Sequence, residues 1–153
     1  GGEQEMGSRA GTENTHSIAG MDKALSLIMD NFDKDSSYIL ELKKYFIEEL
    51  KNRIEGIEFN GLSADLKSSA FHILNVRFPF EKPMMLFTLD LKGIAASGGS
   101  ACQSGSNKGS HVLQAILNEK EAKKTSVRFS FSKLNTKEEI DIVVAELEKI
   151  AST

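Results

Sequence analysis

Apolar residues recur at helical spacing near the N-terminus of the chain. They form two stripes, one over residues 18–28 and one over residues 39–54. This period predicts two helices, the first ending near Asn31 and the second before Gly56, with the polar residues 33–37 as the break between them. Because both stripes are amphipathic, we expect these two helices to pack together.

A third apolar stripe, over residues 140–150, predicts the last helix of the chain. It is preceded by Thr136, with Glu139 three residues further on. That spacing is typical of a capping box, in which each of the two side chains binds the other residue's backbone N–H. The sequence therefore marks the start of this helix as well as its buried face.

Two shorter helices are predicted in the middle of the chain. Pro83 suits the first turn of a helix over residues 83–92, and the nearly continuous apolar sequence there predicts that this helix is buried. Ser110 has the position and side chain to cap a helix over residues 111–118. The charged sequence NEKEAKK that follows, residues 118–124, predicts a solvated turn.

Alternation along the chain predicts two good strands, FHILNVRF at 71–78 and TSVRFSFS at 125–132. Shorter strands are expected over residues 57–61 and 94–97. The order α-α-β-β-α-β-α-β-α predicts an α+β domain in which a small, mostly antiparallel sheet carries helices on one face.

Length, composition and charge narrow the function classes. The 153 residues fit one domain, and no apolar run approaches the ~20 residues that a membrane-spanning helix needs, so we expect no membrane partner. A net charge of −3 without a basic stripe argues against a nucleic-acid partner. The opening residues lack the pattern of a secretory leader, and one cysteine forms no internal disulfide. We therefore expect a reducing, cytoplasmic location.

The single cysteine, Cys102, lies at the centre of the sequence GIAASGGSACQSGSNKGSH, residues 93–111. Glycine is costly to order, and serine competes for backbone hydrogen bonds, so this composition predicts a surface loop whose tip, residues 99–109, is poorly ordered. A thiol in such a loop is exposed and reactive, whereas most cysteines are buried. The alternative is an ordinary loop with an incidental cysteine.

Other candidate residues have two interpretations each. Arg128, at the centre of a predicted strand, either faces solvent or forms a bidentate clamp for a carboxylate or phosphate. The segment Gly7–Thr12 is either a loop leading into a helix or a phosphate site made of backbone N–H groups and a hydroxyl. The three histidines are scattered at spacings that do not suit a metal ion, so we expect no metal site.

Several of these stretches together resemble the cysteine desulfurases, pyridoxal phosphate (PLP) enzymes of the class V aminotransferase superfamily, and in particular their NifS/IscS-like group. GGEQEMGSRAGTEN resembles the family's GG-x-QERG-x-R-x-GT-x-N segment, and FHILNVRF its NILN-type strand. ASGGSACQSGSNKGSHVLQAI resembles SSGSAC-S-GS followed by SHVLRA, and TSVRFSFSKLNTKEEID resembles IRFS followed by T-x-EEID. The resemblance covers essentially the whole chain.

The resemblance implies a role for three residues. Cys102 would be the nucleophile that takes sulfur from L-cysteine as a persulfide and leaves L-alanine. Arg128 would clamp the α-carboxylate of the substrate. Thr12 would hydrogen-bond the phosphate of PLP, typically across the interface of a homodimer. The sulfur would then pass to an acceptor protein, either an iron–sulfur scaffold or a thiolation relay.

The resemblance also implies a division of the chain. Residues 1–15 would be a tail from the large PLP-binding domain, and residues 16–153 the C-terminal small domain of a fold-type I PLP enzyme. The lysine that anchors PLP in this family has no counterpart here, so we expect the chain alone to bind no PLP and to be inactive. The alternative is a free-standing module that carries a persulfide or docks a partner without PLP.

Overall fold

A computed structural model describes residues 1–98 and 110–152 of the chain. These residues form two compact units, Gly1–Asp35 and Ser36–Thr153. The bounds of the helices and strands are α1 Thr15–Arg53, β1 Glu58–Phe59, β2 Ile73–Arg77, α2 Met85–Leu91, α3 His111–Ile116, α4 Glu119–Lys123, β3 Ser126–Ser130 and α5 Lys137–Ala151. The predicted boundary after residue 15 stays a prediction.

The first unit begins with a loop that is held together by its own side chains. Gln4 Oε1 accepts a hydrogen bond from the N–H of Gly11 at 3.0 Å. Arg9 donates to the carbonyl oxygen of Gly11 at 3.1 Å and forms an ion pair with Glu13. Gly11 has a φ of 95°, a left-handed conformation that favours glycine. The chain then enters α1 at Thr15.

The prediction of two packed helices before Gly56 is wrong, because α1 is one continuous helix of 39 residues. The polar residues 33–37 contain neither glycine nor proline, so they do not interrupt the backbone hydrogen bonds of the helix. Both apolar stripes therefore lie on one helix. In the first unit, the stripe residues Ile18, Met21, Leu25 and Ile28 are between 51% and 70% exposed.

The second unit contains a three-stranded antiparallel sheet in the order β1-β2-β3. The register pairs Asn75 of β2 with Arg128 of β3, and Phe59 of β1 with Val76 of β2. Alternation along the strands gives the sheet one apolar face and one polar face. The α+β class and the antiparallel sheet are confirmed.

The apolar face of the sheet packs against helices. Leu74, Val76 and Val127 on this face are fully buried, and they belong to one cluster with residues of α1, α2 and α5. Phe46 of α1 contacts Phe129 edge to face at a centroid distance of 5.0 Å. The helices thus cover the apolar face of the sheet, as the sequence predicts.

Three local predictions are corrected. The strand expected over residues 94–97 is reduced to one bridge, between Ser97 and Arg128. The charged turn is instead the short helix α4, because Asn118 caps it by accepting a hydrogen bond from the Glu121 N–H at 3.0 Å. The helix predicted over residues 83–92 buries one side only, and Met84 and Phe87 are more than half exposed.

The two predicted helix caps are confirmed. Ser110 accepts a hydrogen bond from the Leu113 N–H, and Thr136 and Glu139 form both bonds of the capping box. In residues 1–98 and 110–152, no helix is both long and apolar enough to cross a bilayer.

Candidate functional site

The polar face of the sheet carries a row of side chains that crosses all three strands. Asn60 follows β1 and donates its N–H to the carbonyl oxygen of Asn75 on β2 at 2.9 Å. Asn75 in turn lies opposite Arg128 on β3. Because these three residues continue one ladder, their side chains share one face of the sheet.

Arg128 has a strand neighbour on each side. Toward the edge of the sheet its N–H donates to Ser97 O at 2.6 Å, and its carbonyl accepts from the Ser97 N–H at 3.1 Å. Toward β2, Arg128 lies opposite Asn75. Hydrogen-bonded and non-bonded pairs alternate along an antiparallel ladder, and the bonded pairs here include His72 with Phe131 and Phe78 with Thr125. By this alternation, Asn75 and Arg128 form a non-bonded pair. Pairs of this non-bonded kind bring their side chains closest, with Cα atoms about 4.5 Å apart.

The guanidinium group of Arg128 lacks the partners that the other arginines have. Arg9, Arg53 and Arg77 each pair with a glutamate. Arg128 is half-buried, its Nε atom is shielded from solvent, and this atom has no hydrogen-bond partner among the described residues. A buried donor without an acceptor is costly. Arg128 is therefore placed to receive an acceptor that the described part of the chain does not supply.

A partly buried hydrogen-bond network lies next to Arg128. Arg77 Nη1 donates to Asn60 Oδ1 at 2.6 Å. Asn60 Nδ2 donates to Asn75 Oδ1 at 2.8 Å and to Ser126 Oγ at 3.0 Å. The network links β1, β2 and β3, so the amide groups on this face have fixed positions.

Two glutamates hold Arg77 at the other end of this network. Arg77 pairs with Glu58 of β1 and, through Nε at 3.1 Å, with Glu121 of α4. The pKa of Glu121 lies below its ordinary value, mainly because Lys124 donates a hydrogen bond to it, with a smaller effect from the charge of Arg77. Glu121 is therefore ionised at neutral pH and neutralises part of the buried positive charge.

Cys102 and the predicted loop tip at residues 99–109 lie outside the described residues. The described chain ends on one side at Gly98 and resumes at Ser110, and both residues line one cavity of about 340 Å³. Gly98 approaches Leu86 so closely that a Cβ atom on it would lie 2.7 Å from Leu86 Cδ1. Ser97, the bridge partner of Arg128, is thus the last but one described residue before the segment with Cys102.

Thr12 belongs to the first unit and is exposed. It follows Gly11, whose left-handed conformation turns the chain just before α1 begins. An exposed hydroxyl next to such a turn is chemically suited to a phosphate oxygen. Arg128, the other candidate residue in the described part of the chain, belongs to the second unit.

The histidines are dispersed in the structure as they are in the sequence. His72 lies just before β2 with an exposed side chain, and His111 is the first residue of α3. His16 lies in the first turn of α1. In the described ranges, no group of three or more His, Cys, Asp or Glu side chains could hold a metal ion.

Sequence reasoning did not identify Asn60, Asn75 and Arg77 as parts of the site. One signal was available for two of them: in FHILNVRF, Asn75 and Arg77 occupy alternate positions on the polar side of the strand. The pairing of Asn75 with Arg128 depends on the strand register, which this alternation leaves open.

Comparison with known proteins places these residues in a family. The sequence model described as "Aminotransferase class-V" matches residues 2–143. The chain is 39% identical, over 153 residues, to the cysteine desulfurase IscS of Dictyoglomus turgidum, a match that covers 98% of this chain and 38% of that protein. It is 38% identical to the cysteine desulfurase IscS of Vibrio atlanticus, with 96% and 35% covered.

Solved structures give the same result. A NifS-like protein from Rickettsia africae matches with a TM-score of 0.78 and 29% identity, covering 100% of this chain and 39% of that one. A second NifS-like protein matches with a TM-score of 0.78 and 27% identity, covering 99% and 37%. The chain thus spans less than two fifths of the length of each of these relatives.

Proposed function

Since the chain belongs to the aminotransferase class-V family, we propose that it is the C-terminal part of a cysteine desulfurase, which converts L-cysteine to L-alanine and a cysteine persulfide. One observation carries this proposal: Arg128, whose buried Nε has no partner among the described residues, is bridged to Ser97, five residues before Cys102. The Ser97–Arg128 bridge thus joins a residue suited to bind an anion to the start of the segment that contains Cys102.

Arg128 has the role of binding the α-carboxylate of L-cysteine. A planar guanidinium group presents parallel N–H donors that match the two oxygens of a carboxylate. The half-buried position strengthens this interaction, because the effective dielectric is lower than in water. The two backbone hydrogen bonds with Ser97 hold the backbone of Arg128 at the edge of the sheet.

Cys102 has the role of nucleophile. Its thiolate attacks the sulfur of the bound L-cysteine, so that an S–S bond forms while the Cβ–S bond of the substrate breaks. The electron pair of that bond stays with Cβ, which takes up a proton, and L-alanine leaves.

One residue of this chain, Thr12, fits PLP itself. The exposed Thr12 hydroxyl suits the phosphate, while the unpartnered donor of Arg128 suits the carboxylate of a substrate. When bound, PLP supplies an electron sink that weakens bonds of the attached amino acid. The anchoring lysine belongs, in this proposal, to the part of the relatives that the chain does not cover. A homodimer in the cytoplasm, and a sulfur acceptor that is an iron–sulfur scaffold or a thiolation relay, complete the proposal.

A hybrid enzyme tests this function directly. In it, this chain replaces the segment that it matches in the Dictyoglomus turgidum relative. We expect the hybrid to bind PLP, seen by its visible absorbance, and to release alanine from L-cysteine. We expect the chain alone with added PLP and L-cysteine to show neither.

Two results would contradict the proposal. A hybrid that binds PLP and releases no alanine would show that this chain does not supply a working desulfurase domain. Uptake of a persulfide sulfur by Cys102 of the chain alone, together with an inactive hybrid, would favour the free-standing carrier module instead.

A further inference from the structure

The orientation of the Asn75 amide follows from that of its neighbours. Arg77 can only donate hydrogen bonds, so the atom of Asn60 that it contacts at 2.6 Å must be the carbonyl Oδ1. Asn60 therefore turns its NH₂ group to Asn75 at 2.8 Å, and this contact requires the acceptor Oδ1 of Asn75. One arginine thus determines the orientation of two successive amides.

This orientation leaves the NH₂ group of Asn75 free. Of the described residues, none accepts a hydrogen bond from Asn75 Nδ2, although the residue is only partly exposed. Arg128 lies directly opposite in a non-bonded pair, the arrangement with the shortest distance between side chains. Its Nε is also a donor without a described partner. Asn75 and Arg128 therefore each present a hydrogen-bond donor, and no described residue supplies an acceptor for either.

A pair of unmatched donors, one of them cationic, calls for an anion with at least two acceptor oxygens. We propose that Asn75 is a second substrate-binding residue, whose Nδ2 donates a hydrogen bond to the α-carboxylate that Arg128 clamps. This inference rests on the proposed function, because it takes L-cysteine as the ligand of Arg128. Asn60 and Arg77 act as positioning residues, since they orient the Asn75 amide without contacting the substrate.

The hybrid enzyme with Asn75→Ala tests the role of Asn75. A hydrogen bond to a charged group is lost, so we expect the KM for L-cysteine to rise on the order of tenfold. The carboxylate is bound equally in the ground state and in the transition state, so kcat should change little. Asn75→Asp still accepts the hydrogen bond from Asn60, which preserves the network, but its charge repels the carboxylate. We expect that variant to raise KM further.

Inhibition by L-alanine and by L-alaninamide separates substrate binding from a structural effect. Asn75→Ala should weaken inhibition by L-alanine about tenfold and inhibition by the amide, which has no carboxylate, much less. Asn118→Asp is the control for the charge that Asn75→Asp introduces. Asn118 caps α4, and Asp is an equally good cap, so this variant should leave the KM for L-cysteine unchanged.

The possible failures are distinguishable. An inactive hybrid that binds PLP would contradict the proposed function. An active hybrid in which Arg128→Gln raises KM while both Asn75 variants match the parent would overturn the role of Asn75 alone. Equal weakening of inhibition by L-alanine and by the amide in Asn75→Ala would also overturn it, since a structural change affects both ligands.

Discussion

Ser97 and Arg128 exchange two backbone hydrogen bonds, from Arg128 N–H to Ser97 O at 2.6 Å and from Ser97 N–H to Arg128 O at 3.1 Å. They form an isolated bridge at the edge of the sheet, next to β3. The chain continues from Ser97 toward Cys102 five residues later. The residue proposed to hold the substrate therefore also fixes the start of the segment that bears the proposed nucleophile.

Removal of this bridge should slow the chemical step. Proline has no N–H, so Ser97→Pro in the hybrid enzyme removes the bond to the Arg128 carbonyl. We expect the rate of persulfide formation to fall about fivefold to tenfold, as for the loss of one hydrogen bond at a positioned nucleophile. Ser97→Ala keeps the N–H and is the matched control. Equal rates for both variants and the parent would contradict this role of the bridge.

Substitution of Arg128 by lysine should weaken substrate binding although the charge is kept. Lysine supplies a point charge without the planar pair of donors, so we expect the KM for L-cysteine to rise by at least about tenfold. Arg53→Lys is the control, because Arg53 pairs with Glu148 at 2.6 Å on helices α1 and α5. A KM unchanged by Arg128→Lys would contradict the carboxylate clamp.

The capping box should contribute measurably to stability. Thr136→Ala removes the side chain that accepts a hydrogen bond from the Glu139 N–H, which should cost about 1 kcal/mol of unfolding free energy. Thr136→Ser keeps the hydroxyl and should change stability by only a few tenths of that amount. Urea unfolding of the purified chain, followed by circular dichroism, measures both. Equal losses in the two variants would show that the hydroxyl is not the source.

Lys43 should make stability depend on pH in the alkaline range. Its side chain is fully buried in α1, where Nζ donates to Ser69 Oγ at 2.7 Å and to Ala70 O at 2.9 Å. Burial holds the pKa of Lys43 below its ordinary value of 10.5, partly offset by Asp65. The unfolded chain therefore binds more protons between the folded pKa and 10.5, so this residue makes stability rise with pH there.

The variant Lys43→Met tests this pH dependence. It has no group to titrate, so we expect it to lack the part of the rise that Lys43 causes, in urea unfolding measured from pH 7 to about 10. The pH range of the measurement ends near 10 because of Tyr45. A hydrogen bond to Asp141 raises the pKa of Tyr45 to about 12, so above the ordinary tyrosine value of 10.0 this residue makes stability fall as the pH rises. An identical slope in the parent and Lys43→Met would contradict the role of Lys43.

Much of the fold could be predicted from residue patterns because local chemistry determines it. Thr136 and Glu139 marked a helix start from their spacing alone, and the alternation in β2 and β3 determined which side chains are buried. The break predicted at residues 33–37 is absent from α1, because polar residues other than glycine and proline do not interrupt helical hydrogen bonds. The charged sequence after Asn118 forms α4 and not the predicted turn, because the Asn118 side chain caps it.

The site was predictable only in part for a different reason. Arg128 was identified from its residue type, its central position in a strand and the resemblance to a family. Asn75 was not, because its significance depends on lying opposite Arg128, and strand register is set by contacts between distant segments. The orientation of its amide depends further on Arg77 and Asn60, a chain of contacts that no local pattern encodes.

Mass spectrometry of Cys102 in the hybrid enzyme, after a single turnover with L-cysteine, is the most direct test of the central claim. We expect one additional sulfur atom on Cys102 for each alanine released, and neither product in the Cys102→Ser variant, which should still bind PLP. Release of alanine at the parent rate by Cys102→Ser, or alanine formed without sulfur on Cys102, would contradict the role of this chain as the persulfide-forming part of a desulfurase.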